Sequence, residues 1–431
     1  YATNTVVKGF SFKNQKEDKF NATAVDLVIH TAQPKGKMVE VLFEPKAKLT
    51  DSLTYDITAW SLPYAHGFEA IASKNKVSSS KATSIKNTTN IIDKKAYAYL
   101  SKWNSLEDAT FLGALLQQNI TPRFADKAFS IEGKSYQRGT LIILRNDNRT
   151  ANFDEKLIEI ANQNDRKIQS VASGFVDSGL DFGSYSVKPI NQQKVALLSG
   201  EGTSSLSFGE IWHFFEVELK YPLTILNSDY FGRTNFSKFD VIIIPSGYYG
   251  RVLNKSTLDK LSTFVSSGGT LIAIGNALNS FADAKGYALK SKEAKKDSTT
   301  YNLTPFEDQE RARINNLISG AIFKSKVDIT HPLAFGYSDE YFSLKRSGST
   351  YNYLKDGVNV AYFDKDTENV SGYAGSKAVK NIPESLLFGE EQKGRGSIIY
   401  MVDNPLFRSF WENGKLFLAN AVFLLNSDKL K

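Results

Sequence analysis

The sequence predicts an α/β protein: a doubly wound, mostly parallel sheet of the flavodoxin type, preceded by a β-rich segment and a small α/β unit. Three observations carry this. From residue 193 onward short apolar runs alternate with amphipathic stretches, the grammar of a parallel sheet covered on both faces. Before residue 72 apolar and polar residues alternate with the period of a half-buried strand. Between them, SKNKVSSSKATSIKNTTN (73–90) has little apolar content and reads as a linker or exposed loop.

Taken in order, TAVDLVIHTA (23–32) and KMVEVLFEP (37–45) read as two strands of a hairpin joined through QPKG. TYDITAW (54–60) and FEAIA (68–72) continue the pattern, so residues 1–72 form the β-rich segment. Residues 91–190 form the small α/β domain. In it KAYAYLS (95–101) is a strand, and SLEDATFLGALLQQN is a helix opened by Ser105 with Asp108 three residues on. FSIEGKSYQRGTLIIL (129–144) reads as two strands around a Gly-rich turn, DEKLIEIANQND (154–165) as a helix and KIQSVAS (167–173) as a strand.

Residues 191–431 carry the doubly wound sheet. Its strands are QKVALLS (193–199), PLTILN (222–227), FDVIIIPSG (239–247), TLIAIG (270–275), VNVAYFD (358–364) and GSIIYMVD (396–403). Its helices are SFGEIWHFFEVEL (207–219), with Ser207 as cap, NKSTLDKLSTFVSSGG (254–269) and FRSFWENGKLFLANAVFLL (407–425). A polar insertion lies near 280–310. Ligands of such sheets sit at the carboxyl ends of the strands.

Composition narrows the chemistry. With 431 residues, 41% hydrophobic and 12% aromatic, the chain can bury large cores. No apolar run approaches 18 residues, so no membrane span is expected. A net charge of +7 is spread out, with small knots such as KSKEAKK (290–296), and no basic face with interleaved aromatics points to nucleic acid. The absence of cysteine excludes disulfides, thiol catalysis and cysteine metal sites. The first residue is Tyr1, which reads as a processed or excised piece of something longer.

Four histidines exist, His30, His66, His213 and His331. His213 and Glu216 have the H-x-x-E spacing of a zinc pair, and His331 could supply a third ligand. The pair falls inside an amphipathic helix whose stripe of Phe208, Ile211, Trp212, Phe215 and Leu219 is expected to be buried. No resident metal and no cofactor are therefore expected in this chain. His331-Pro332 reads as a loop-shaping turn, and Asp339-Glu340 as carboxylates without a nucleophile and base to serve.

The run GEGTSSLSFGEIWHFFE, then FDVIIIPSGYYG, SSGGTLIAIGNA and THPLAFG, resembles the class I glutamine amidotransferase-like domain. More narrowly it resembles the version at the C-terminal end of bacterial exported zinc carboxypeptidase-like proteins, and DSLTYDITAWSLPYAHGFEA (51–70) is similar to a segment following the peptidase domain there. Active amidotransferases carry Cys between glycines at a strand-turn-helix elbow. Here Gly275 or Asn276 stands at that place, and Ser280 comes several residues too late. The resemblance thus implies a degenerate domain with no catalytic residue. The Gly200-Glu201-Gly202 loop borders the former cleft, and a ligand there would meet Glu201, Glu210, His213 and Asn276.

Two readings follow. In the first, the chain is a non-catalytic accessory region of an exported protein, whether periplasmic, surface-held or secreted. It packs against the zinc peptidase domain of the same polypeptide, where alone zinc is expected, shapes access to it, or binds a peptide or glycan. In the second, it is a self-standing hydrolase or amidase with a non-thiol nucleophile.

Overall fold

The computed structural model describes residues 1–45, 48–49, 61–80, 89–292 and 305–425. At the N-terminus β1 (Thr5–Ser11) and β2 (Lys16–Ala22) form an antiparallel hairpin, followed by α1 (Gly36–Leu42), β3 (Lys48–Leu49), α2 (Leu62–His66) and β4 (Ile71–Ala72), with sheet order β2-β1-β4. This corrects the expected hairpin of 23–32 and 37–45. The first stretch forms no strand and the second begins as a helix. The hairpin is made upstream instead, through a turn where Gln15 adopts a left-handed φ of 57° and donates its N–H to Ser11 at 2.8 Å. Both edges of β1 are then taken, and Val25, Leu27 and Ile29 stay exposed outside the sheet. TYDITAW lies outside the described residues. Within the expected linker, residues 73–80 fold back on the start of the chain, the Ser80 N–H donating to the Tyr1 carbonyl at 2.9 Å.

The small unit contains β5 (Ala98–Ser101), α3 (Leu106–Gln117), β6 (Arg123–Ala125), β7 (Phe129–Ile131), β8 (Lys134–Tyr136), β9 (Leu141–Leu144), α4 (Phe153–Gln163), β10 (Gln169–Val171) and β11 (Val187–Pro189). Its sheet runs β10-β5-β9-β6-β11, antiparallel throughout, with β7 and β8 paired separately. The capping box of Ser105 and Asp108 opens α3. Residues 129–144 hold three strands rather than two, because Lys134–Tyr136 folds back on Phe129–Ile131 through Gly133 at positive φ.

The large unit runs β12 (Val195–Ser199), α5 (Ser205–His213), β13 (Leu223–Asn227), α6 (Ser228–Phe231), β14 (Val241–Ile244), α7 (Lys255–Ser266) and β15 (Thr270–Ile274). It continues as α8 (Gln309–Ile314), β16 (Ile318–Val327), β17 (Glu340–Lys345), β18 (Val358–Phe363), β19 (Asn369–Ala374), β20 (Ser385–Lys393), β21 (Gly396–Met401) and α9 (Glu412–Phe423). The parallel part has the order β13-β12-β14-β15-β21, which is the 2-1-3-4-5 order of the flavodoxin type. It is α/β and doubly wound, as the alternating grammar predicts.

Beyond β21 the sheet turns antiparallel through β20, β18, β16 and β19 and ends on β3, so the N-terminal segment completes the large sheet. Val241–Ile244 and Thr270–Ile274 are buried throughout, as strands covered on both faces must be. Helix α9 is buried along nearly its whole length and packs against α2, α3 and β17. Among the described residues no helix is long and apolar enough to cross a membrane.

Candidate functional site

In a sheet of this order the connections diverge between β12 and β14, and the loops at their carboxyl ends border the crevice that takes ligands. Here the two loops are hydrogen-bonded to each other. The Tyr248 N–H donates to the Gly202 carbonyl at 2.8 Å, and the Ser204 N–H to the Ser246 carbonyl at 3.0 Å. A Cβ on Gly247 would lie 2.3 Å from the Gly202 oxygen, and one on Gly202, at φ +87°, would lie 2.6 Å from the Tyr248 oxygen. Backbone therefore fills the position where a ligand would enter.

Ser246 is the hydroxyl nearest the elbow. Its Oγ accepts the Asn276 N–H at 3.1 Å, and the Asn276 side-chain amide donates to the Tyr248 hydroxyl at 3.3 Å. Gly275, at φ +59°, opens a 3-10 turn over Gly275–Ser280, and a Cβ there would lie 2.9 Å from Ser246 Oγ. A side chain at the elbow would collide with that hydroxyl. Ser280 ends the turn. Among the described residues no histidine hydrogen-bonds to Ser246 or Ser280.

The residues singled out in the sequence separate. Glu201 is exposed on the rim of the closed crevice beside Gly202, and Asn276 lies across from it on the Tyr248 side. Glu210 is buried under the loop that follows β21, where Oε1 accepts the Arg408 N–H at 2.7 Å and Oε2 accepts from the Asn404 amide. Burial pushes its carboxyl above the usual range, against the pull of these hydrogen bonds and of the Arg346 and Arg408 charges.

His213 ends α5, where the helix widens into a π turn over Phe214–Glu218. That widening makes Glu218, five residues on, the carboxylate facing its ring, at 3.6 Å from Nδ1, which is too long for a hydrogen bond. Glu216 is exposed and has no part in it. Glu218 is engaged instead by the buried Lys415 at 2.6 Å. Two expectations about this helix are corrected. Its cap is Ser204, whose Oγ accepts the Ser207 N–H, while Ser207 is buried with its own Oγ accepting the Ser246 N–H at 3.0 Å. Trp212 is 40% exposed, so the buried stripe is carried by Ile211, Phe214, Phe215 and Leu219.

His331 lies at the opposite edge of the sheet. It lines a cleft of about 1750 Å³ between the small unit, α7 and the amino ends of the parallel strands. Its Nδ1 accepts the Leu333 N–H at 3.2 Å, so Nε2 carries the proton and donates to Glu390 at 2.7 Å. The other oxygen of Glu390 accepts from Ser397 Oγ. The carboxylate stands between serine and imidazole, so His331 cannot take a proton from Ser397. The histidine caps the His331-Pro332 turn. Glu340 is held by Lys324 at 2.8 Å and by Lys326 at 3.6 Å. Among the described residues no three histidine or carboxylate groups are close enough to share a metal ion.

Residues that sequence reasoning passed over are Ser246, Tyr248, Asn404 and Arg408. The Pro-Ser-Gly after an apolar strand could have flagged the first two; nothing in the local pattern flags the others.

No family model matches the chain, and no curated protein matches it. Solved structures similar to it include a ThuA-like protein of Parabacteroides merdae (16% identity, 56% of this chain and 93% of that one, TM-score 0.36). A ThuA-like protein of Bacteroides uniformis follows (13%, 53% and 89%, 0.33), as does a glutamine amidotransferase of Thermotoga maritima (9%, 54% and 96%, 0.32). The fold assignment rests on the strand order above.

Proposed function

We propose that this chain is a non-catalytic accessory region of an exported zinc carboxypeptidase-like protein. It is a rigid body that packs against the peptidase domain of the same polypeptide and offers it a surface for a peptide or glycan. Zinc and the peptidase chemistry belong to that other domain. The observation that carries the non-catalytic part is the elbow, where Gly275 at φ +59° faces Ser246 Oγ with no room for a side chain. A covalent mechanism needs a nucleophile with an adjacent base, and Ser246 faces a backbone N–H instead. The parentage rests on the order of the motifs quoted above.

The purified chain is assayed for ammonia release from glutamine and for hydrolysis of activated esters and C-terminal peptides with added zinc. No turnover is expected. Turnover abolished by Ser246→Ala or Ser280→Ala would replace this reading with that of a self-standing hydrolase or amidase. Adding the peptidase domain encoded in the same gene is expected to raise the thermal midpoint of both parts; no interaction would refute the accessory role.

A further inference from the structure

On its parallel side the large sheet ends at β13, and only one edge of that strand is used. Leu223–Asn227 pairs with Val195–Ser199 of β12 in an unbroken parallel register, and among the described residues nothing pairs with the other edge. An open edge presents a row of unpaired N–H and C=O groups, and sheets ordinarily blunt it with charge, proline or a bulge. Here Pro222 precedes the strand, and the strand itself, LTILN, carries no charge, no proline and no register shift. Neither face covers it. Thr224 and Ile225 point to opposite faces, yet both are exposed, Ile225 at 49%.

The charges at the two ends of the strand are the second observation. Glu216 and Lys220 stand before it, Asp229 and Arg233 after it, and all four are exposed. Among the described residues none of the four makes a salt bridge. Arg233 stays on its own side, donating to the Asp229 carbonyl at 3.2 Å and lying 5.1 Å from the centre of the Tyr230 ring. Outward from the strand the signs run positive then negative at the entry, negative then positive at the exit. A second copy laid antiparallel along this edge exchanges the two ends. It sets Lys220 against Asp229 and brings Glu216 to the side of Arg233. A parallel copy would set each charge against its own kind, which is unfavourable.

We propose that β13 is a dimer interface, in which two copies of this chain join their open edges antiparallel about a two-fold axis at Ile225. A residue on such an axis meets itself, so Ile225 packs on Ile225, with Leu223 opposite Asn227 and Thr224 opposite Leu226. The backbone groups of both edges are then paired, and the most exposed apolar side chain of the strand is covered. The pairing does not depend on the parentage of the chain or on its lack of turnover, so either reading can fail alone.

The test is sedimentation equilibrium of the whole chain in the micromolar range. A dimer is expected, weakened at high salt because its end charges are screened. Ile225→Lys sets two like charges opposite each other on the axis and is expected to give a monomer with an unchanged circular dichroism spectrum. Lys220→Glu and Asp229→Lys are each expected to weaken the dimer at least tenfold, and the two together to restore it to within threefold. That restoration belongs to antiparallel pairing alone, since the two positions lie at opposite ends of the strand within one copy. A monomeric wild type, a dimer that survives Ile225→Lys, or a double variant as weak as the single ones would overturn the assignment. So would a monomeric chain whose Ile225→Lys variant loses the peptidase domain instead, which would give the edge to that domain.

Discussion

At Gly275 one position decides both conformation and chemistry. Any other residue there is strained by the left-handed φ, at about 1–2 kcal/mol, and its Cβ must also displace Ser246 Oγ from 2.9 Å. Gly275→Ala is therefore expected to destabilise the chain by about 2–3 kcal/mol in urea unfolding. Ser246→Ala alone removes the acceptor of the Asn276 N–H, at about 1 kcal/mol. The double variant is expected to be more stable than the sum of the two, because the first change no longer meets a hydroxyl. Strict additivity would mean that Ser246 does not crowd the elbow.

Glu210 makes a second prediction at this scale, and its sign is fixed by burial. Its folded pKa is raised above the ordinary value of 4.5. The stabilising contribution of the protonated form is complete below the unfolded value and is lost as pH rises through the folded one. From pH 4 upward the stability of the wild type relative to Glu210→Gln is expected to fall across this window. An identical pH slope in the two proteins would show that Glu210 titrates normally.

Among the elements, α5 and α9 are joined through Lys415, which is 1% exposed and reaches Glu218 at 2.6 Å and also Glu412. The π turn is what brings Glu218 round to this lysine. Removing one partner of a buried pair leaves the other charge uncompensated, so Lys415→Met is expected to cost about 3 kcal/mol. Glu218 and Glu412 remain partly exposed, which holds the figure to the low end. A denaturation midpoint unchanged from wild type would refute the clamp.

The same helix shows what a sequence can disclose. The run 207–219 reads as a helix because its apolar residues recur at helical spacing. The π turn inside it is invisible, since no residue type marks a π turn, and it brings Glu218, two residues beyond Glu216, to face His213. Likewise β12, β14 and β15 are legible as continuous apolar runs. Strands β16, β17, β19 and β20 are not, because their partners are non-local and their alternation is broken by buried serines such as Ser325, Ser343 and Ser371. The elbow was readable at Gly275. The hold of Glu210 on the Asn404–Arg408 turn was not, because the two segments are brought together only by the fold.

Over the whole molecule, one apolar cluster runs from Phe10 and Tyr64 of the N-terminal segment through Trp103 and Leu112 of the small unit to Ile243 and Phe417 of the large one. Helix α9 lies where the three meet. Trp103 donates its indole N–H to Asn420 at 2.8 Å, and the Asn413 amide donates to the Tyr64 carbonyl at 3.3 Å. Tyr64 is fully buried, packed against Phe342 at 4.8 Å between ring centres and receiving a hydrogen bond from Gln15 at 2.7 Å. Units that share a core this way cannot open one at a time without exposing the faces of the others, so the chain is expected to unfold in a single calorimetric transition. Tyr64→Ala should remove about 3–5 kcal/mol, as for other large buried aromatics. The loss should appear as a lower midpoint of that one transition, with calorimetric and van't Hoff enthalpies still equal. A new low-temperature transition, with the main one unmoved, would show instead that the N-terminal segment is an appendage that melts by itself.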